Sequence, residues 1–123
     1  GESPEAAALR ELEEETGYTA DSLVLIGRVN PNPAFMSNTA YTYLASGVRL
    51  DREQALDENE RLDALLVPAE EVVELVRPDF HVHAIMMSAL HWYSLYREDG
   101  LDYEGRLAKW SARQSDATAG PLH

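Results

Sequence analysis

The 123-residue sequence predicts one α/β domain, and three observations carry that expectation. A helix with start and stop signals opens the chain, stretches rich in β-branched and aromatic residues follow it, and helical patterns close it. At this length a chain can bury one core but not two. The 45% hydrophobic fraction is that of a globular protein.

The opening helix is predicted over Pro4–Thr16. Ser3 caps it, Pro4 suits the first helical position, and Glu5 sits at the positive end of the dipole. Gly17 stops it as a C′ residue. SLVLIGRV, Ser22 to Val29, reads as a strand ended by the turn-rich NPNP. NTAYTYLASGVRL reads as a second strand, with Tyr41 and Tyr43 on one face and Thr42 and Leu44 on the other. DREQALDENER is polar and without period, hence a loop. DALLV (Asp63 to Val67) reads as a short strand, and Pro68 opens a helix to about Val76. A longer helix is expected from Phe80 to Arg97, with Ile85, Ala89, Trp92 and Tyr96 at helical spacing, and GLDYEGRLAKWSARQ adds a weaker one. The domain is expected over 1–110, with 111–123 as a flexible tail.

Composition removes several function classes. The chain has no cysteine, so disulfides, thiolate metal sites and cysteine nucleophiles are out, which fits a cytoplasmic protein. A net charge of -12 opposes nucleic-acid binding and suits multivalent cations. No run of apolar residues is long enough to span a membrane.

The chemistry concentrates in RELEEETGY, residues 10 to 18. On a helix Glu14 lies about 60° to one side of Glu11 and Glu15 about 40° to the other. Glu13 points away, toward solvent or an ion pair. Three carboxylates on one face repel unless a hard cation sits between them, and an oxygen-only donor set selects Mg²⁺ or Mn²⁺ over zinc. A solvated acidic helix face is the competing reading of the same residues.

The surrounding pattern resembles the Nudix hydrolases, whose box runs Gly, five residues, Glu, seven residues, then Arg-Glu-aliphatic-x-Glu-Glu-x-Gly-aliphatic. Here Glu2 is followed by seven residues, and Arg10, Glu11, Leu12, Glu13, Glu14, Glu15, Thr16, Gly17 and Tyr18 fill the remainder, with Tyr18 replacing the final aliphatic residue. The resemblance implies an α/β/α sandwich with a mixed sheet whose N-terminal strands precede Gly1 and are missing from this chain. It implies Mg²⁺, or Mn²⁺, held by Glu11, Glu14 and Glu15, with Arg10 paired to a carboxylate such as Glu2. It also implies hydrolysis of a nucleoside diphosphate derivative.

Within that family, ADP-ribose enzymes tend to carry a proline about fifteen residues beyond the box, and Pro33 stands fifteen after Tyr18. The loop NPAFMSN resembles that of ADP-ribose and nucleotide-sugar pyrophosphatases. Phe35 and Met36 are candidates to contact base or ribose, although apolar loop residues also serve as anchors to a core. Arg28 and Arg49 are candidate phosphate contacts or plain surface arginines. LDENERLD resembles the Glu-rich loop of ADP-ribose pyrophosphatases, which makes Glu58 the candidate general base and Glu60 a metal contact. A solvated acidic loop is the alternative. His81, His83 and His91 match no zinc pattern and read as core or surface residues. The leading expectation is ADP-ribose cleaved to AMP and ribose 5-phosphate by a homodimer. A nucleoside diphosphate sugar such as GDP-mannose is the near alternative, and a non-catalytic nucleotide- or partner-binding module is the alternative of another class.

Overall fold

A computed structural model describes residues 1–32, 34, 37–56, 68–75 and 84–116. Helix α1 spans Pro4–Thr16 as its end signals predict. The Ser3 hydroxyl accepts from the Ala6 N–H at 3.1 Å, satisfying a donor that helix geometry leaves without a partner. At the other end Gly17 is left-handed, with φ 79°, and its N–H donates to the Glu13 carbonyl at 2.9 Å.

Two antiparallel ribbons follow. Strand β2 (Ser22–Val29) pairs with β3 (Ala40–Ser46), and β1 (Tyr18–Thr19) pairs with β4 (Arg49–Leu50). The stretch 38–50, expected as one strand, is therefore two. Gly47, at φ 66°, turns the chain out of the β2 register, and β4 then pairs with residues just past the helix. Among the described residues both pairings are antiparallel; the strand expected over Asp63–Val67 lies outside them.

The β2–β3 register steps between Leu25 and Gly27, leaving Ile26 as an extra residue. Ile26 is the most buried apolar side chain described, at 2% exposure. Gly27 faces the indole of Trp92 so closely that a Cβ there would overlap the ring. Trp92 in turn meets Tyr103 edge-on, with centroids 5.8 Å apart.

The layering follows from two neighbouring residues of β3. Tyr43 lies on the side of β3 that meets Glu5 of α1, and burial, with that carboxylate nearby, pushes its hydroxyl pKa up. Thr42 pairs with Gly27, on which Trp92 of helix α2 (Ala84–Asp99) rests. Successive strand residues point to opposite faces, so α1 and α2 flank the ribbon on opposite sides. This is the helix–sheet–helix order that an α/β/α sandwich requires.

A 3₁₀ helix (Ala69–Leu75) stands where a helix to about Val76 was expected, and Arg97 Nη1 donates to its Ala69 carbonyl at 3.1 Å. Helix α2 is described over Ala84–Asp99; the expected start at Phe80 lies outside the described residues. Helix α3 (Tyr103–Asp116) runs six residues into the stretch expected to be a flexible tail. Ala112, Arg113 and Gln114 are good helix formers, and Ser115 Oγ donates back to the Ser111 carbonyl at 3.1 Å. The corner between the two helices is clamped by Arg106, only 3% exposed, whose Nη1 and Nη2 donate to the Asp99 carboxylate at 3.0 and 2.9 Å. That fork holds the Asp99 carboxyl below the usual aspartate range. No described helix is long and apolar enough to cross a membrane.

Candidate functional site

Arg10 organises the acidic face of α1. Its Nε donates to Glu2 Oε2 at 2.9 Å and its Nη2 to Glu2 Oε1 at 3.0 Å, a two-point fork across the first turns of the helix. Its Nη1 donates to Glu14 Oε2 at 3.2 Å. The guanidinium holds the Glu2 carboxyl below the usual glutamate range, and Glu2 in return raises the Arg10 pKa. One arginine therefore ties Glu2, two residues before the helix, to Glu14, one turn beyond the arginine itself.

Glu11 and Glu15 remain exposed on the same side of the helix as Glu14. Glu13 does not face solvent or an ion pair as expected. It turns to the sheet, where its Oε1 accepts from the buried Thr19 hydroxyl at 2.8 Å and so anchors β1 to the helix. Within one acidic run, the fold thus separates a structural carboxylate from three outward-facing ones. Their donor chemistry, oxygen only, fits a hard divalent cation. Among the described residues, no three carboxylates or imidazoles stand close enough together to enclose an ion.

The end of α1 is tied to the segment after β4. The Asp51 and Arg52 N–H groups both donate to the Gly17 carbonyl, at 2.9 and 3.1 Å. The Gln54 side-chain amide donates to the Glu15 carbonyl at 2.6 Å, and the Ala55 N–H to the Glu14 carbonyl at 2.7 Å. These acceptors belong to the last turn, which helix geometry leaves without intrahelical donors. The Arg52 carbonyl also lies against Gly17, on the side where a Cβ would project. Composition marked DREQAL as loop; nothing in it marked the segment as a strap across the acidic helix.

The remaining candidates separate. Arg28 is exposed near the end of β2, with its guanidinium carbon 6.0 Å from the Tyr41 ring centroid. Tyr41 pairs directly with Arg28 and stacks on Tyr43, which places Arg28 on the α1 side of the ribbon. Arg49 is engaged by Asp21 and by the Gly47 carbonyl, so it braces the β3–β4 turn. His91 is exposed beside Trp92. Pro33, Phe35, Met36, Glu58, Glu60, His81 and His83 lie outside the described residues.

Residues 1–90 match the NUDIX domain, nearly three quarters of the chain. The chain belongs to the Nudix family. Across 77 residues this Nudix chain is 42% identical to the ADP-ribose pyrophosphatase of Bacillus subtilis (strain 168), a match covering 62% of the chain and 42% of that protein. It is 32% identical over 78 residues to the methanol dehydrogenase activator of Bacillus methanolicus, covering 63% of the chain and 42% of the relative. Among solved structures, that of an "ADP compounds hydrolase" superposes with a TM-score of 0.69 at 29% identity, covering 80% of this chain and 52% of the other. The chain thus spans about two fifths of the length of these curated relatives.

Proposed function

We propose that this chain supplies the metal-binding helix and sheet of a Mg²⁺-dependent pyrophosphohydrolase acting on a nucleoside diphosphate derivative, with ADP-ribose as the substrate and AMP and ribose 5-phosphate as products. The observation that carries the reading is the outward face of α1: Glu11, Glu14 and Glu15 on one side, with Glu14 and Glu2 joined through Arg10. The names of two relatives, an ADP-ribose pyrophosphatase and an ADP compounds hydrolase, support the substrate class.

In this reading Glu11, Glu14 and Glu15 hold Mg²⁺, or Mn²⁺ in its place. Bound there, the ion neutralises diphosphate charge and lowers the pKa of water. Arg10 fixes one oxygen of Glu14 and leaves the other for the ion. Glu58 takes the proton from the attacking water as general base, and Glu60 adds a metal contact. The strap supports that assignment, because Ala55 is bonded to the Glu14 carbonyl and Glu58 follows three residues later, a reach of about 11 Å. Arg28 meets a substrate phosphate, and Pro33, Phe35 and Met36 border the base or ribose. A homodimer and a cytoplasmic location complete the proposal.

The test offers the full-length protein, with Mg²⁺, ADP-ribose, GDP-mannose, UDP-glucose and NADH, and identifies the products. ADP-ribose giving AMP and ribose 5-phosphate at the highest kcat/KM is the expected result. Preferential cleavage of GDP-mannose would move the assignment to nucleoside diphosphate sugars. The relative named as a methanol dehydrogenase activator gives one specific ground for a second reading, a role exerted through a partner protein. Tight nucleotide binding with no turnover of any of the four compounds would favour it.

A further inference from the structure

We propose that Gln54 is a positioning residue for the metal-binding carboxylates, acting through the backbone of Glu15. This inference rests on the assignment of Glu14 and Glu15 as ligands, and it adds a residue outside the acidic motif.

The last turn of an α-helix is its weakest, because its carbonyls lack intrahelical donors and its residues fray. In α1 that turn carries two of the three ligand candidates. Their side chains can converge on one point only while their Cα atoms keep helical positions, and mutual repulsion works against that. Here the exposed carbonyls are taken up from outside. The Gln54 amide reaches the Glu15 carbonyl at 2.6 Å, and the Ala55 N–H reaches the adjacent Glu14 carbonyl at 2.7 Å. The Asp51 and Arg52 N–H groups hold the Gly17 carbonyl immediately beyond. Three of these four donors are backbone and are available to any sequence with this chain path. Gln54 alone contributes a side chain, thirty-nine residues from its acceptor. It is therefore the one member of the strap that a substitution can remove without altering the backbone. Helix ends are often held by a neighbouring loop; what singles this one out is that the residues held are the carboxylate pair itself.

The experiment uses the full-length protein and the variant Gln54→Met, which keeps the length and neutrality of the side chain but has no donor. Because Gln54 is exposed, the fold is retained, as far-UV circular dichroism will show. Mn²⁺ alone is titrated by electron paramagnetic resonance well below the melting temperature. The variant should bind Mn²⁺ about three- to tenfold more weakly, the scale of one lost hydrogen bond. At limiting metal its kcat should fall to match, excess Mn²⁺ should restore it, and KM for the nucleotide should stay within about twofold. Unchanged Mn²⁺ affinity, or a kcat loss that excess metal does not repair, overturns the proposal. A parallel titration of Glu14→Gln separates the two levels. If that variant also binds Mn²⁺ like the wild type, the ligand assignment itself has failed; if only Gln54→Met is silent, the ligand assignment stands and the positioning role falls.

Discussion

Replacing Gly17 by alanine probes the joint between the acidic helix and its strap. Two costs add at this position. At φ 79° an L-residue takes the left-handed conformation at about 1–2 kcal/mol. The added Cβ would also overlap the Arg52 carbonyl oxygen and lie 3.3 Å from its carbon and 3.5 Å from Leu50 Cδ1. Backbone cannot rotate away as a flexible side chain can, so the strap must shift, at an overpacking cost of about 1–3 kcal/mol. The sum is about 3 kcal/mol. Gly100 supplies the control, since it has φ 70° but nothing within 4 Å of the position of its Cβ. Gly100→Ala should therefore show the conformational cost alone, about 1 kcal/mol. Urea unfolding of the wild type and both variants, analysed by linear extrapolation, measures the difference. Equal destabilisation by the two substitutions would refute the close approach of Arg52, and with it the strap.

Two further substitutions test the layers on either side of the sheet. Gly27→Val should cost about 2 kcal/mol by driving Trp92 off β2, and should red-shift its fluorescence as the contact with Tyr103 opens; an unshifted spectrum with unchanged stability would contradict that packing. Arg10→Met should return the Glu2 carboxyl to the ordinary glutamate range, followed by NMR titration. Because the folded value is depressed, the contribution of this pair to stability is present above the unfolded glutamate pKa and disappears as pH falls through the folded one. The wild type, but not Arg10→Met, should show that acid-limb loss, and matching limbs would remove the pair from the account.

Helix α1 was legible to its end residues because its signals are local: Ser3, Pro4 and Gly17 act within one turn of themselves. Strand β2 was legible for the same reason, as a β-branched and leucine run closed by a proline-rich turn. The strap was not. DREQAL has no period to read, and its hydrogen bonds end on carbonyls more than thirty residues away, so only the tertiary path reveals them. The split of 38–50 was hidden similarly, since β4 exists only through its pairing with β1. Glu13 was misplaced because helical angle alone points it away from its neighbours; the Thr19 hydroxyl behind it belongs to the following strand. At the site, the family resemblance anticipated Arg10 beside Glu2, and the fold added that the same guanidinium also reaches Glu14.

The most direct test of the central claim is the Mg²⁺-dependent initial rate of ADP-ribose cleavage by the full-length protein and its Glu14→Gln variant, with melting temperatures measured alongside. Charge removal at one ligand, with the fold kept, should lower kcat by about a hundredfold or more, on the order of 3 kcal/mol in the barrier. A Glu14→Gln protein that cleaves ADP-ribose at the wild-type rate, with the same Mg²⁺ dependence, would show that the acidic face of α1 is not the metal site.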